Sequence, residues 1–198
     1  MRVVLATHNL GKVRELQSLL APLGIEVEPL SQFTTVAVEE TGSTFAENAV
    51  LKARYAARVA QLPAIADDSG IAVDALAGAP GIYSARFAGP QASDAENLHK
   101  LLRELGDLPA PKRTARYRCA LAYVRSPDDP APIVCEADWE GRILTQPRGS
   151  GGFGYDPIFQ LLDRPETAAE LSAIEKNRLS HRGKALQLLL ERLRTDTG

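Results

Sequence analysis

The chain has 198 residues, 44% of them hydrophobic, which is enough to bury a core and excludes disorder as the default state. A net charge of -2 argues against a general binder of nucleic-acid polymers or membrane surfaces, since both need a large basic excess. No apolar run approaches membrane-spanning length, and Met1-Arg-Val-Val-Leu-Ala lacks a signal peptide's apolar stretch and cleavage site, so a cytoplasmic protein is expected.

In chain order, Arg2 to Ala6 reads as a buried strand feeding a helix from Leu10 to Leu20, with Val13, Leu16, Leu19 and Leu20 on one face. A second helix opens at the capping box Thr44-x-x-Glu47 and runs to about Leu62, carrying Ala49, Ala53, Ala56, Ala57 and Ala60 for close packing. Pro63 to Asp74 then lays an apolar strand into two adjacent carboxylates, Asp67 and Asp68, and a Ser-Gly turn. A Gly/Pro-rich loop covers Ala77 to Gly89, and Ser93-x-x-Glu96 caps a third helix whose Leu98, Leu101, Leu102 and Leu105 face inward. Arg113 to Arg125 and Pro132 to Leu144 read as strands, the first alternating Tyr117, Cys119, Leu121 and Tyr123 against Arg116 and Arg118. Two helices, Thr167 to Ala173 and Ser180 to Arg194, close the chain. The fold class is α/β, or mixed α+β: one domain over residues 1–198, its central sheet mixed in direction because the middle strands follow one another without helices. Cys119 and Cys135 lie in strand-like segments without metal-ligand spacing and read as core.

Adjacent strand residues face opposite ways, so one of Asp67 and Asp68 faces a cleft while the other ties down the turn backbone. The cleft-facing carboxylate is a candidate magnesium ligand or general base, and a surface turn is the competing reading. Thr7-His-Asn-Leu-Gly-Lys12 sits at a strand-to-helix junction, where helix N–H groups, Asn9 and Lys12 can converge on an anion; an ordinary N-capped helix with a solvated lysine is the alternative. Glu39 and Glu40 precede the second helix as dipole partners, yet Glu40 with Asp68 would suit magnesium, which takes one or two carboxylates beside phosphate oxygens. Gly149-Ser-Gly-Gly-Phe-Gly-Tyr-Asp-Pro-Ile-Phe159 surrounds its aromatics with glycines, so Phe153 or Tyr155 could stack on a base; a mobile hairpin would look similar. After Ser180 as N-cap, His181 and Arg182 oppose the helix dipole, a cost more easily explained by a ligand than by solvation. His8 and His99 read as surface residues.

Taken together, Thr7-x-Asn-x-x-Lys12, Glu40-Thr-Gly-x-Thr-Phe-x-Glu-Asn-Ala-x-x-Lys52, Asp67-Asp-Ser-Gly70, Gly78-Ala-Pro-Gly-Ile-Tyr-Ser-Ala-Arg86, Gly152-Phe-Gly-Tyr-Asp-Pro157 and Ser180-His-Arg-Gly183 resemble the inosine/xanthosine triphosphate pyrophosphatase family. The blocks occur in order across nearly the whole chain, and their conjunction is far more specific than any one of them. His8 departs from the small residue common there.

The resemblance implies magnesium-dependent hydrolysis of ITP, dITP and XTP to monophosphate and pyrophosphate, by a homodimer whose subunits have two lobes around an active-site cleft. It implies substrate binding by Thr7, His8, Asn9, Leu10, Gly11 and Lys12, with Thr7, Asn9 and Lys12 on phosphates and Lys52 beside them. It places metal on Glu40 and Asp68, makes Asp68 the catalytic base, and puts Ser69 on the substrate. At the base end it implies Phe153 stacking within Gly154 and Tyr155, while Asp156, Lys176, His181 and Arg182 read the purine edge. A pyrophosphatase for modified pyrimidine nucleotides, as in the Maf-like septum inhibitors, is the alternative enzyme. A nucleotide sensor without turnover is the alternative of another class, disfavoured because carboxylates near phosphates need a metal between them.

Overall fold

The computed structural model describes residues 2–196. Its six-stranded sheet has the order β2-β1-β3-β4-β5-β6. Strand β1 (Arg2–Leu5) is parallel both to β2 (Glu26–Pro29) and to β3 (Ala64–Val73). Strands β4 (Thr114–Val124) and β5 (Ile133–Ile143) follow, with β6 (Phe159–Leu161) antiparallel to β5. The sheet is therefore mixed, as the helix-free run between the middle strands predicted. Both unpredicted strands lie at sheet edges: β2 is four residues with two glutamates and a proline, and β6 is three. Edge strands need neither apolar alternation nor every N–H, which removes their signal from the sequence.

The chain forms two compact units. One contains the residues up to Asp68, then Cys119–Ala137 and the residues from Arg182 on; the other contains Ser69–Arg118 and Asp138–His181. In the first, helix α1 (Leu10–Leu20) and helix α5 (His181–Asp196) supply Val13, Leu16, Leu20, Ala185, Leu186 and Leu189 to a core with Val3, Leu5, Ile65 and Leu121. Cys119 and Cys135 are buried and unbridged in that core, as read from sequence. Helix α2 (Phe45–Ala60) buries Ala49, Ala53, Ala56 and Ala57 fully, the small residues that let a helix backbone approach its neighbours. In the second unit, helix α3 (Asp94–Leu105) packs Leu98, Leu101 and Leu105 with Tyr117, Trp139, Ile143 and Phe159.

Three local expectations change. Asp67-Asp-Ser-Gly70 is not a turn, because β3 runs unbroken through it and Gly70 exists for close approach: a Cβ there would lie 2.3 Å from the Gly81 carbonyl oxygen. Of the segment Thr167–Ala173, the residues up to Ser172 are not helical. Thr167 receives the Glu170 carboxylate on its N–H and donates its hydroxyl to the Arg148 carbonyl, while helix α4 (Ala173–Leu179) starts from the capping box Ser172-x-x-Glu175. The alternation of β4 holds only to Arg118; beyond it Ala120, Ala122 and Val124 are buried as well, so this half of the strand is covered on both faces.

Candidate active site

Two neighbouring carboxylates on β3 meet different elements because strand residues alternate faces. Asp67 is fully buried, and its Oδ2 lies 2.9 Å from Lys12 Nζ on α1 and 3.2 Å from Arg182 Nη2 on α5. Burial alone would raise the Asp67 pKa, but the charges of Lys12 and Arg182 outweigh it and hold the carboxyl well below the usual carboxylate range. Arg182 also binds Glu15 through Nη1 and is itself 2% exposed. The guanidinium of Arg182, which opposes the α5 dipole, is thus explained by the buried Asp67 and the half-buried Glu15. Arg182, expected to read a purine edge, has its guanidinium committed to Asp67 and Glu15.

Asp68 faces α2. Its Oδ1 accepts from Lys52 Nζ at 2.8 Å and its Oδ2 from Asn48 Nδ2 at 3.3 Å, and the same ammonium reaches Glu40 Oε1 at 3.0 Å. Burial is the largest influence on Asp68 and raises its pKa despite Lys52 and Lys12, with Glu40 adding repulsion. For Lys52, burial works against the charge, yet Asp68, Asp67 and Glu40 together raise its pKa. The two aspartates are pushed in opposite directions, one fixed as an anion and one made more basic. That separation of environments is how a pair of like groups divides structural from proton-transfer work.

Among the described residues, no group of three or more His, Cys, Asp or Glu side chains could hold a metal ion. The donor set here is a carboxylate pair converging on one cation position, and magnesium, which fills its octahedron with water and phosphate oxygens, needs no more than that from protein. The residues fit the ion. Asn48 was not assigned a role from sequence, although it stands one turn before Lys52 on the same helical face and is fully buried. Its Oδ1 accepts from Gly42 N at 2.8 Å, tying the acidic segment before α2 to Asp68.

At the start of α1, Asn9 Oδ1 accepts from the N–H groups of Gly11 and Lys12 at 2.9 and 3.1 Å, and Thr7 Oγ1 accepts from Asn9 N. Two of the helix donors expected to converge on an anion, the N–H groups of Gly11 and Lys12, are therefore used by the cap, with Gly11 buried; Lys12 is not solvated but paired with Asp67. His8 and Leu10 are exposed.

The second unit holds the remaining predicted residues. Asp156 is buried; its Oδ2 accepts from Phe153 N at 2.9 Å and Lys176 Nζ at 2.5 Å, and its Oδ1 from the Tyr117 hydroxyl at 3.1 Å. Gly152 is required beside it, because at φ 70 its missing Cβ would lie 2.0 Å from that Oδ2. Lys176 Nζ lies 4.6 Å from the Phe153 ring centroid, and Phe153 and Gly154 remain partly exposed. Tyr155, a candidate stacking ring, is instead in the core with its hydroxyl donating to the Ser84 carbonyl at 2.7 Å, which leaves Phe153 as the available aromatic. His181 lies parallel to Tyr117, with centroids 4.7 Å apart. Ser69 is half-buried on β3.

The protein is of the mixed-sheet α/β class, with a carboxylate pair gathered on a lysine in one unit and a glycine-bordered aromatic backed by another lysine in the other. The chain belongs to the Ham1 family, which it matches over residues 3–192. It is 57% identical to a dITP/XTP pyrophosphatase of Shigella flexneri and 58% identical to one of Pectobacterium atrosepticum, each over 98% of both chains. Among solved structures, it resembles a HAM1 protein from Coxiella burnetii with a TM-score of 0.88 and 47% identity, covering 98% of this chain and 99% of that one. The Staphylococcus aureus Ham1 protein gives 0.85 and 40%, covering 99% and 100%. No helix among the described residues is long and apolar enough to cross a membrane.

Proposed function

We propose that this chain hydrolyses deaminated purine nucleoside triphosphates, namely ITP, dITP and XTP, to the monophosphate and pyrophosphate with magnesium as cofactor. The observation that carries the reading is the meeting of Glu40 and Asp68 on the Lys52 ammonium, on a chain 57% identical to a protein named dITP/XTP pyrophosphatase. Glu40 and Asp68 would hold the metal, which when bound supplies charge neutralisation and polarisation of phosphate oxygens. Lys52 and Lys12 add positive charge for the pyrophosphate that leaves. Thr7 and Asn9 offer polar side chains at the same end, within the substrate-binding segment that also carries His8, Leu10 and Gly11.

Asp68 takes a proton from water as the water oxygen bonds to the α-phosphorus. The bond from that phosphorus to the bridging oxygen breaks, and pyrophosphate departs with the electron pair. Burial raises the Asp68 pKa, a shift in the direction that favours proton acceptance. Ser69 contacts substrate next to it in the chain.

At the base end, Phe153 stacks on the purine with Gly154 and the backbone of Tyr155 beside it. Hypoxanthine and xanthine present a carbonyl at C6 that accepts from His181 or Lys176, whereas adenine presents an amino donor. A buried donor left unpaired costs roughly 1–3 kcal/mol, so two such mismatches give about a hundredfold discrimination or more. Asp156 holds Lys176 and the Phe153 backbone, and Arg182 anchors the start of α5 beside His181. The working form under this reading is a cytoplasmic homodimer, and sedimentation of the purified protein measures its mass.

A panel of ITP, dITP, XTP, ATP, GTP and modified pyrimidine triphosphates tests the substrate class. Run in heavy-oxygen water, it should give labelled nucleoside monophosphate and unlabelled pyrophosphate from ITP; label in orthophosphate would place cleavage elsewhere and defeat the mechanism. Glu40→Gln should raise the magnesium concentration for half-maximal rate, because one charged oxygen ligand of a hard cation becomes neutral. An unchanged titration would leave Glu40 only its contact with Lys52.

A further inference from the structure

We infer that Tyr117, through its hydroxyl on Asp156 and its ring face on His181, is the positioning residue that holds the purine-reading groups in place. The inference rests on the functional reading above, and it concerns a residue that no motif in the sequence singled out. Tyr117 lies on β4 and is 7% exposed. Its hydroxyl donates to Asp156 Oδ1 at 3.1 Å, while the other carboxylate oxygen receives Phe153 N and Lys176 Nζ. Three elements are thereby tied to one carboxylate: the glycine loop through Phe153, α4 through Lys176 and β4 through Tyr117. A carboxylate fixed from both oxygens cannot rotate, so the lysine it holds and the Phe153 ring beneath that lysine keep one geometry.

The same side chain fixes the second reader by shape. The His181 and Tyr117 rings are parallel within 4° at 4.7 Å, and Trp139 and Phe159 flank Tyr117 at 6.4 and 4.6 Å. A ring so enclosed has one orientation, and the imidazole laid on it inherits that plane. The two contacts use different parts of tyrosine and can be removed separately. Tyr117→Phe deletes the hydroxyl and keeps the stack; Tyr117→Leu deletes both.

The test uses the full chain and three readouts. Trp139 is the one tryptophan in the sequence and its ring centroid is 6.4 Å from that of His181, so its fluorescence reports the binding of IMP, a ligand with the base and one phosphate. Tyr117→Phe should weaken IMP binding and raise the KM for ITP about tenfold, the scale of one lost hydrogen bond to a charged group, with kcat within about threefold of wild type. Inhibition by inorganic tripolyphosphate, which lacks a base, should not change in Tyr117→Phe. Tyr117→Leu should lose IMP affinity by a further factor of about ten as the stack goes. Unchanged IMP affinity and ITP KM in Tyr117→Phe would make Tyr117 core packing and overturn the inference, as would a loss in kcat alone or an equal weakening of tripolyphosphate. Failure of the wild type to hydrolyse ITP is a separate result that defeats the functional reading and the positioning role with it.

Discussion

Asp67 and Asp68 are chemically identical neighbours whose surroundings shift them in opposite directions, so under the proposed function substitution of each should fail in a different measurement. Asp68→Asn removes the proposed proton acceptor beside Lys52 and should lower kcat for ITP by about two to four orders of magnitude with the thermal unfolding midpoint little changed. Near-normal turnover by that folded variant would remove Asp68 from the mechanism. Asp67→Asn leaves the buried Arg182 facing a neutral amide, and breaking a buried pair costs about 3–5 kcal/mol. Chemical denaturation should register that loss; a midpoint shift worth under about 1 kcal/mol would mean that Glu15 alone suffices for Arg182. The adjacency of the two acids was legible in the sequence. Their different surroundings were not, since these depend on cations from α1, α2 and α5 that are distant in the chain.

Elements hold these residues through their ends. Helix α2 presents Asn48 and Lys52 to Asp68, and its register is fixed by the capping box in which Thr44 receives Glu47 N–H and Glu47 returns to Thr44 N–H. Thr44→Ala should therefore cost about 1 kcal/mol of stability. Heat or denaturant titration measures this, and no loss of stability would show that packing of the alanine face alone sets the helix. The glycine loop works by close approach: Gly152→Ala adds a left-handed alanine and a methyl where the Asp156 carboxylate sits. A backbone strain of about 1–3 kcal/mol corresponds to roughly five- to 150-fold in the KM for ITP, with kcat much less affected. The capping boxes at Thr44 and Ser93 were readable from four residues each, because a cap is a local bargain between one side chain and one N–H. The box at Ser172 is masked by the helix-like composition of Thr167 to Ala173, and the unbroken course of β3 through Asp-Asp-Ser-Gly by Ser and Gly, which are turn residues in any short window.

For the molecule as a whole, the carboxyls held down by structure decide acid stability. Asp67 has a native value below its unfolded one, so its contribution is fully present above about pH 4 and is lost as pH falls through the depressed native value. Wild type should lose stability progressively below about pH 4, and Asp67→Asn should show a shallower acid dependence in the same titration; parallel curves would assign acid unfolding to other groups. By itself the sequence determined the α/β class, the mixed sheet, the apolar faces of α1 and α3, and the blocks whose order across residues 7–184 pointed to the family. These follow from periodicity, capping and short motifs, all carried by residues near one another in the chain. Only the tertiary structure decided that Arg182 anchors Asp67 and Glu15, that Tyr155 belongs to the core while Phe153 stays partly exposed, that Asn9 caps α1, and that Tyr117 and Asn48 touch the candidate site. The physical reason is that partner choice for a buried charge or hydroxyl is set by which groups packing brings within about 3 Å, and packing joins positions as far apart as Asp67 and Arg182 that no sequence window contains.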